Sequence, residues 1–282
     1  MDQRRSQSAQ KGQAMVDTSI FSSILEHYQG LLSVYTAVGI MAVVFIGKRL
    51  LLLIPAIRQT QALNKKACEE RNTRSFYPRV QKRVRVWGLL TDVVIFALVL
   101  PFCLTLEAQP WWKMLLDIFA ILMVYDFFYY LTHRFLFHDG PLGGPLIWVH
   151  AVHHQQRNPC RADSSYLHPL EPVLGLALYA ATIAVLAALM GRFHVATIVI
   201  TWVAFSEINL HNHDLMEEDR FPFKYLKYMS FMHHVHHARF TAGNFATISL
   251  FYDWLFGTYD TGNGYKKKVV VAGVDSPSRE AR

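Results

Sequence analysis

His133-Arg134-Phe135-Leu136-Phe137-His138, followed by His150-Ala151-Val152-His153-His154, puts five histidines into 22 residues on either side of a turn-rich Asp139–Pro145 segment. The pattern returns at His233-His234-Val235-His236-His237. Residues at i, i+3 and i+4 share one face of a helix, so His150, His153 and His154 can converge on one point, and so can His233, His236 and His237. Neutral imidazole is a preferred ligand of iron, copper, nickel and zinc, and three such clusters read as a metal site. His133 and His138 lie five residues apart, about 140° around an ideal helix. They share a site only if the helix ends or bulges there, or if each serves a different ion; Gly140 and Pro141 supply an ending.

Working outward, each histidine segment follows an apolar run. An apolar stretch from about Lys113 to Leu131 leads to His133, with Trp111 and Trp112 marking the opposite interface. Upstream of it are Leu31–Ile54, broken only by Lys48 and Arg49, and Val86 to about Leu106, with Asp92 inside and Pro101 as a kink. Between these two lie nine Lys or Arg against Glu69 and Glu70 (Arg58, Lys65, Lys66, Arg71, Arg74, Arg79, Lys82, Arg83, Arg85), a loop that the positive-inside rule keeps in the cytoplasm. Downstream, Pro172–Met190 and His194–Ile208 form two spans or a re-entrant hairpin, hinged at Gly191-Arg192. By this count an even number of crossings separates the two histidine regions, so both face the cytoplasm. The expected fold is all-α: an integral membrane protein of about four transmembrane helices under a cytoplasmic, histidine-rich catalytic cap. It divides into a tail at 1–30, a first span and basic loop at 31–85, a catalytic domain at 86–260 and a polar tail at 261–282. The protein is expected to be multi-pass, in a bacterial inner membrane or the endoplasmic reticulum, with its active site on the cytoplasmic side.

Composition agrees. Apolar residues make up 52% of the 282-residue chain and charged residues 17%, and mean hydropathy is +0.17. The net charge of +7 comes from basic residues flanking apolar runs, with no continuous basic and aromatic face, so the partner is a bilayer and not nucleic acid. Cys68, Cys103 and Cys160 are too few and too scattered for a disulfide framework or a cysteine-held zinc. No Gly-rich phosphate loop is present, which argues against direct nicotinamide cofactor binding.

Thirteen of the 14 histidines fall between 133 and 237. His194, inside an apolar run, reads as a core histidine. The rest offer more ligands than one ion takes, so two ions are expected, and imidazoles without cysteine favour iron over a structural zinc. Asp126, two turns before His133, and Glu207, one turn before His211, could each accept the second N–H of a liganding imidazole; Asp126 could equally be a polar residue near the water interface. A histidine-rich metal transporter or metal-binding membrane protein is the alternative, but transporter ligands sit within spans, whereas these follow them.

The chain resembles the fatty acid hydroxylase superfamily, membrane di-iron oxygenases that include sterol desaturases, sterol methyl oxidases and sphingolipid hydroxylases. The family's HxxxxH, HxxHH and HxxHH boxes match His133–His138, His150/His153/His154 and His233/His236/His237. Further matches are Asp126 to Arg134, Tyr166-Leu167-His168-Pro169-Leu170-Glu171, Leu210-His211-Asn212, and Asp253-Trp254-Leu255-Phe256-Gly257-Thr258 with Trp and Asp exchanged. Gly243-Asn244-Phe245 departs from the common Asn-Tyr-Gly. The resemblance implies two iron ions held by His133, His138, His150, His153, His154, His233, His236 and His237, with His168 and His211 also carried over as ligands. It places Glu171 beside Asp126 and Glu207 among the residues behind them. His213 and His234 read as neighbours of motif positions or substitutes for them. It further implies O₂-dependent hydroxylation or desaturation of a lipid such as a sterol, fatty acyl chain or sphingolipid. Electrons would come from an external cytochrome b5-like or ferredoxin-like donor. That donor would dock near Lys224, Lys227, Arg239 and Lys266–Lys268, which could equally serve as positive-inside anchors.

Overall fold

A computed structural model describes residues 26–138 and 144–265. Residues 1–25, 139–143 and 266–282 lie outside the described residues. The chain forms α1 (Gly30–Leu51), α2 (Pro55–Asn72), α3 (Tyr77–Leu98), α4 (Leu100–Cys103), α5 (Trp111–Thr132), α6 (Ile147–His150), α7 (Leu170–Met190), α8 (Val195–His211), α9 (Phe223–Ala238) and α10 (Phe251–Leu255). The described strands are two-residue pieces, β1 (Leu104–Thr105) and β2 (Phe193–His194), paired in parallel.

Three helical segments are long and apolar enough to cross a membrane: Gly30–Leu51, Trp111–Phe137 and Leu170–Met190, with Val195–His211 a shorter apolar helix. The run expected from Val86 to Leu106 is divided. α3 begins ahead of it with Arg79, Lys82, Arg83 and Arg85, and stops at Leu98; Pro101, which lacks an N–H, falls in the short α4 beyond the break. Its apolar part, Val86–Leu98, reaches only about 20 Å.

Five helices (α1, α3, α5, α7 and α8) run between the same two ends of the molecule. At one end, Gln29 N–H donates to the Pro101 carbonyl at 2.9 Å, β1 pairs with β2, and Gln109 donates to the Arg192 carbonyl at 2.9 Å. Gly191, at φ +87°, turns α7 back toward α8 in a conformation that a Cβ would strain. At the other end, the basic α2 lies over the histidine-bearing loops. Asn64 accepts from the N–H groups of Arg161 and Leu215 and donates to the Leu215 carbonyl. Buried Asp163 accepts from the Tyr77 hydroxyl at 2.7 Å and the Cys160 N–H at 2.7 Å, and pairs with Arg71 at 2.7 Å.

The core between the helices is aromatic. Tyr179 stacks on Phe205 with centroids 4.6 Å apart, and Tyr125 meets both edge-on. The hydroxyl of Tyr179 donates to Thr201 at 2.9 Å, which satisfies a polar group that lipid could not. The outer faces are apolar as well: Leu31, Met41, Phe45, Leu89, Phe119 and Leu189 are all more than 60% exposed. A surface of this kind suits hydrocarbon.

Cysteines introduced at the exposed Arg157 and Arg239 should react with a membrane-impermeant maleimide from one side of a sealed vesicle, and a cysteine at Glu107 from the other. Arg157 and Arg239 reacting from opposite sides would contradict this arrangement of the helices.

Candidate metal centre

The first histidine box depends on a change of helix type. α5 continues as a five-residue π-helical turn, His133–Phe137, and His138 N–H closes an i→i+5 bond to the His133 carbonyl at 3.1 Å. This wider turn brings residue i+5 back over residue i, so the rings of His133 and His138 come within 5.0 Å. The second box does not lie on a continuous helix. α6 ends at His150, and His153–Gln155 is a separate 3₁₀ turn. The third lies on α9.

The imidazoles therefore divide between two clusters. His133, His138, His150, His154 and His236 form the first, and His153, His213, His233 and His237 the second; within each, the potential ligand atoms lie within 4.8 Å of one another. The second and third boxes each contribute to both clusters, so neither converges on one point as the i, i+3, i+4 spacing suggested. The clusters abut: the His154 and His237 rings stack 4.7 Å apart and His150 lies 5.4 Å from His153.

For seven of the nine rings an Nδ1 partner fixes which nitrogen carries the proton; His154 Nδ1 is buried without one. In the first cluster, His133 donates to the Phe245 carbonyl (2.6 Å), His138 to Phe240 (2.9 Å), His236 to Gly243 (2.8 Å) and His150 to the Glu171 carboxylate (2.8 Å). In the second, His213 donates to the Asn209 carbonyl (2.9 Å), His237 to Gln156 (3.1 Å) and His153 to Tyr166 (3.4 Å). A neutral ring protonated at Nδ1 presents a bare lone pair at Nε2. The Nε2 atoms of the clusters face each other: His133–His150 at 2.9 Å and His153–His213 at 3.0 Å join rings protonated at Nδ1, while His154 lies 3.1 Å from both His150 and His236, and His233 3.1 Å from His213 and 3.2 Å from His237.

Protonation does not relieve this crowding. Burial, with repulsion from neighbouring imidazoles, holds His138, His150, His153, His154, His233 and His237 well below the usual histidine range. Burial also lowers His213 and His236 to about 4. Neutral lone pairs aimed at one another 3 Å apart are what a cation between them would stabilise. Nitrogens held about 2.1 Å from a common centre lie about 3.0 Å apart across a right angle and about 3.4 Å apart in a tetrahedron. The closest pairs, at 2.9 to 3.2 Å, lie near these values. His138 Nε2 is buried without a hydrogen-bond partner, as a free ligand atom would be. The all-nitrogen donor set, with no cysteine in it, is consistent with iron.

Four of the expected site residues stand elsewhere. His211 is outside both clusters because both ring nitrogens are engaged, Nδ1 with Asp214 at 3.0 Å and Nε2 with the Leu226 carbonyl at 2.8 Å. His168 is outside as well; its Nδ1 accepts from the Leu170 N–H and its ring meets Trp148. Asp126 touches no imidazole. It accepts from the N–H groups of Thr247, Ile248 and Ser249 and from the Ser249 hydroxyl. Glu207 pairs with Arg161, which also binds Asp214 at 2.9 Å. Glu171 alone of the three carboxylates contacts a clustered ring. His213, expected only as a neighbour or substitute, belongs to the second cluster, because α8 ends at His211 and the following turn swings residue 213 inward. His234 lies outside both clusters, half-buried with Nε2 unpartnered.

The loop from Phe240 to Ser249 supplies three of the accepting carbonyls. Asp253 holds it through the N–H groups of Phe245 and Ala246 (2.8 Å each), and Asp126 holds its far end. Asn244, at φ +65°, donates to the Met232 and Asp260 carbonyls. A Cβ on Gly243 would meet the Thr258 carbonyl oxygen at 1.8 Å, so the departure at Gly243-Asn244-Phe245 is a built feature of this loop.

The fatty acid hydroxylase family model matches residues 118–258. The chain belongs to the fatty acid hydroxylase family. Comparison with curated proteins and with solved structures gave no match. The family match begins inside α5 and ends beside Asp253 and Thr258, so it spans both clusters and the loop that orients them, while α1–α3 precede it.

Replacing Glu171 by Ala should weaken metal retention against a chelator about 10- to 100-fold, since His150 loses the partner that orients it. Metal-free protein should lose stability as the pH falls from about 6.5 toward 4. The folded state keeps its imidazoles neutral while the unfolded chain takes up protons, so the melting temperature should drop by roughly 5 °C or more per pH unit. A flat melting curve across that window would show that the rings charge in the folded state.

Proposed function

We propose that this protein is a membrane di-iron oxygenase that uses O₂ and externally supplied electrons to oxidise an unactivated C–H bond of a lipid, giving an alcohol or a double bond. The observation that carries the reading is the set of Nε2 lone pairs facing one another at about 3 Å in two adjoining, buried clusters, within a chain of the fatty acid hydroxylase family. One iron would be held by His133, His138, His150, His154 and His236, the other by His153, His213, His233 and His237.

The irons, when bound, supply O₂ reduction: O₂, two electrons, two protons and R–H yield R–OH and water. The chain's own residues set the conditions for it. The carbonyls of Gly243, Phe245 and Phe240 keep the Nδ1 protons of His236, His133 and His138 in place, so the coordinating nitrogens do not rearrange. The Glu171 carboxylate makes His150 a stronger donor. Phe137 stacks on His150 at 5.1 Å and Phe240 lies 4.4 Å from His138, an apolar wall that excludes water from the first cluster.

We read the site as cytoplasmic, from the basic residues of α2 and the first turns of α3 at the same end. An external cytochrome b5-like or ferredoxin-like donor would meet this basic end, where Lys224, Lys227 and Arg239 lie. A transporter reading has less support, because both clusters sit at one end of the helical layer and not midway along it.

Purified protein should contain two irons per chain. His236→Ala should insert and extract like the parent, yet lose iron and all product, because His236 connects to His154 within the first cluster. His194→Ala should keep activity, since His194 merely caps α8 by accepting the Ala196 N–H at 3.1 Å. Turnover retained in the first variant and lost in the second would overturn the assignment. Comparing lipids from cells with and without the protein would identify the substrate.

A further inference from the structure

We infer that the segment Ser249–Phe256, which follows the loop over the metal centre, is embedded in the hydrocarbon of the bilayer alongside α5, with Phe251, Trp254 and Leu255 in contact with acyl chains. The first observation is depth. Tyr252 donates its hydroxyl to the Met123 carbonyl at 3.0 Å, its ring lies 5.3 Å from that of Phe127, and Phe256 stacks on Tyr130 at 5.2 Å. With Trp111 and Trp112 at one interface, a rise of about 1.5 Å per residue puts Met123 about 18 Å and Tyr130 about 28 Å along the span, within a hydrocarbon layer about 30 Å thick. α10 therefore lies beside the inner half of a span and not above it.

The second observation is surface chemistry. Phe251 is 45% exposed, Trp254 69%, Leu255 51% and Phe256 43%, and they continue the exposed face of α5 at Phe128, itself 45% exposed. From Thr241 to Tyr259 the only charged side chain is Asp253, and it is fully buried.

The third is the fate of the backbone. Non-helical chain is tolerated at membrane depth only where its polar groups are satisfied by protein. Two carboxylates do this here. Asp126 takes the N–H groups of Thr247, Ile248 and Ser249, and Asp253 takes those of Phe245 and Ala246 together with the Thr258 hydroxyl at 2.7 Å. An aqueous loop has water for these groups. A lipid-embedded one needs acceptors of its own, which gives both buried carboxylates a purpose.

The test is spin labelling of the full chain in phosphatidylcholine vesicles. Cysteine is introduced singly at Phe251 and at Trp254, and at exposed Arg157 as a control, in a background carrying Cys68→Ser. Iron content and melting temperature matching the parent certify each fold. Collision with dissolved O₂, which concentrates in hydrocarbon, should exceed collision with a water-soluble nickel chelate several-fold at 251 and 254, with the order reversed at 157. Chelate access equal to or above oxygen access at either position would place the segment in water and overturn the proposal. Low access to both reagents would also overturn it, by showing the face covered by protein such as a second copy of the chain.

Discussion

Everything at the centre of this molecule follows from lone pairs held against their mutual repulsion. Seven of the nine clustered imidazoles give their Nδ1 proton to an oxygen acceptor, which turns their Nε2 atoms inward. Without positive charge between them these nitrogens repel, and burial denies them protons. The fold therefore carries a cost that a divalent cation relieves, and the rigid aromatic core of α5, α7 and α8 provides the stiffness that sustains it. Each of these helices delivers a group to the centre at the same end: His133 from α5, Glu171 from α7, and His213 just beyond α8.

The supporting shell is built from carboxylates with separate tasks. Glu171 orients a ring directly. Asp253 and Asp126 act one step removed, holding the loop whose carbonyls orient three further rings. Asp163, through Arg71 and Tyr77, ties α2 and α3 to the segment between the second box and α7. These two helices, which precede the family match, thereby brace the centre although they contribute no imidazole to it.

Much of this was legible in the sequence. The apolar runs at 31–54, 113–131 and 172–190 gave three helices long and apolar enough to cross a membrane, and the three histidine boxes supplied eight of the nine clustered imidazoles. Helical geometry left His133 and His138 three ways out, an ending, a bulge or separate ions, and Gly140 and Pro141 pointed to an ending; the chain uses a π-helical bulge within the helix. What the sequence could not convey was which ring faces which. His211 and His213 look interchangeable in a string of letters; the residue at which α8 stops decides between them. Asp126 looked like a partner for His133, since helical spacing shows a shared face but not a loop arriving from 120 residues later. Backbone carbonyl acceptors leave no residue-type signature at all.

That last point bears on how such a centre tolerates change. Because Gly243, Phe245 and Phe240 serve through their main-chain oxygens, the path of the loop sets the proton positions, and Gly243, where a Cβ would meet the Thr258 carbonyl oxygen, keeps that path. A substitution on this loop acts on the proton positions of His236 and His133 only by moving the backbone that accepts them. The orientation of the rings is thus a property of the loop's shape, carried by main-chain oxygens and not by any side chain of their own.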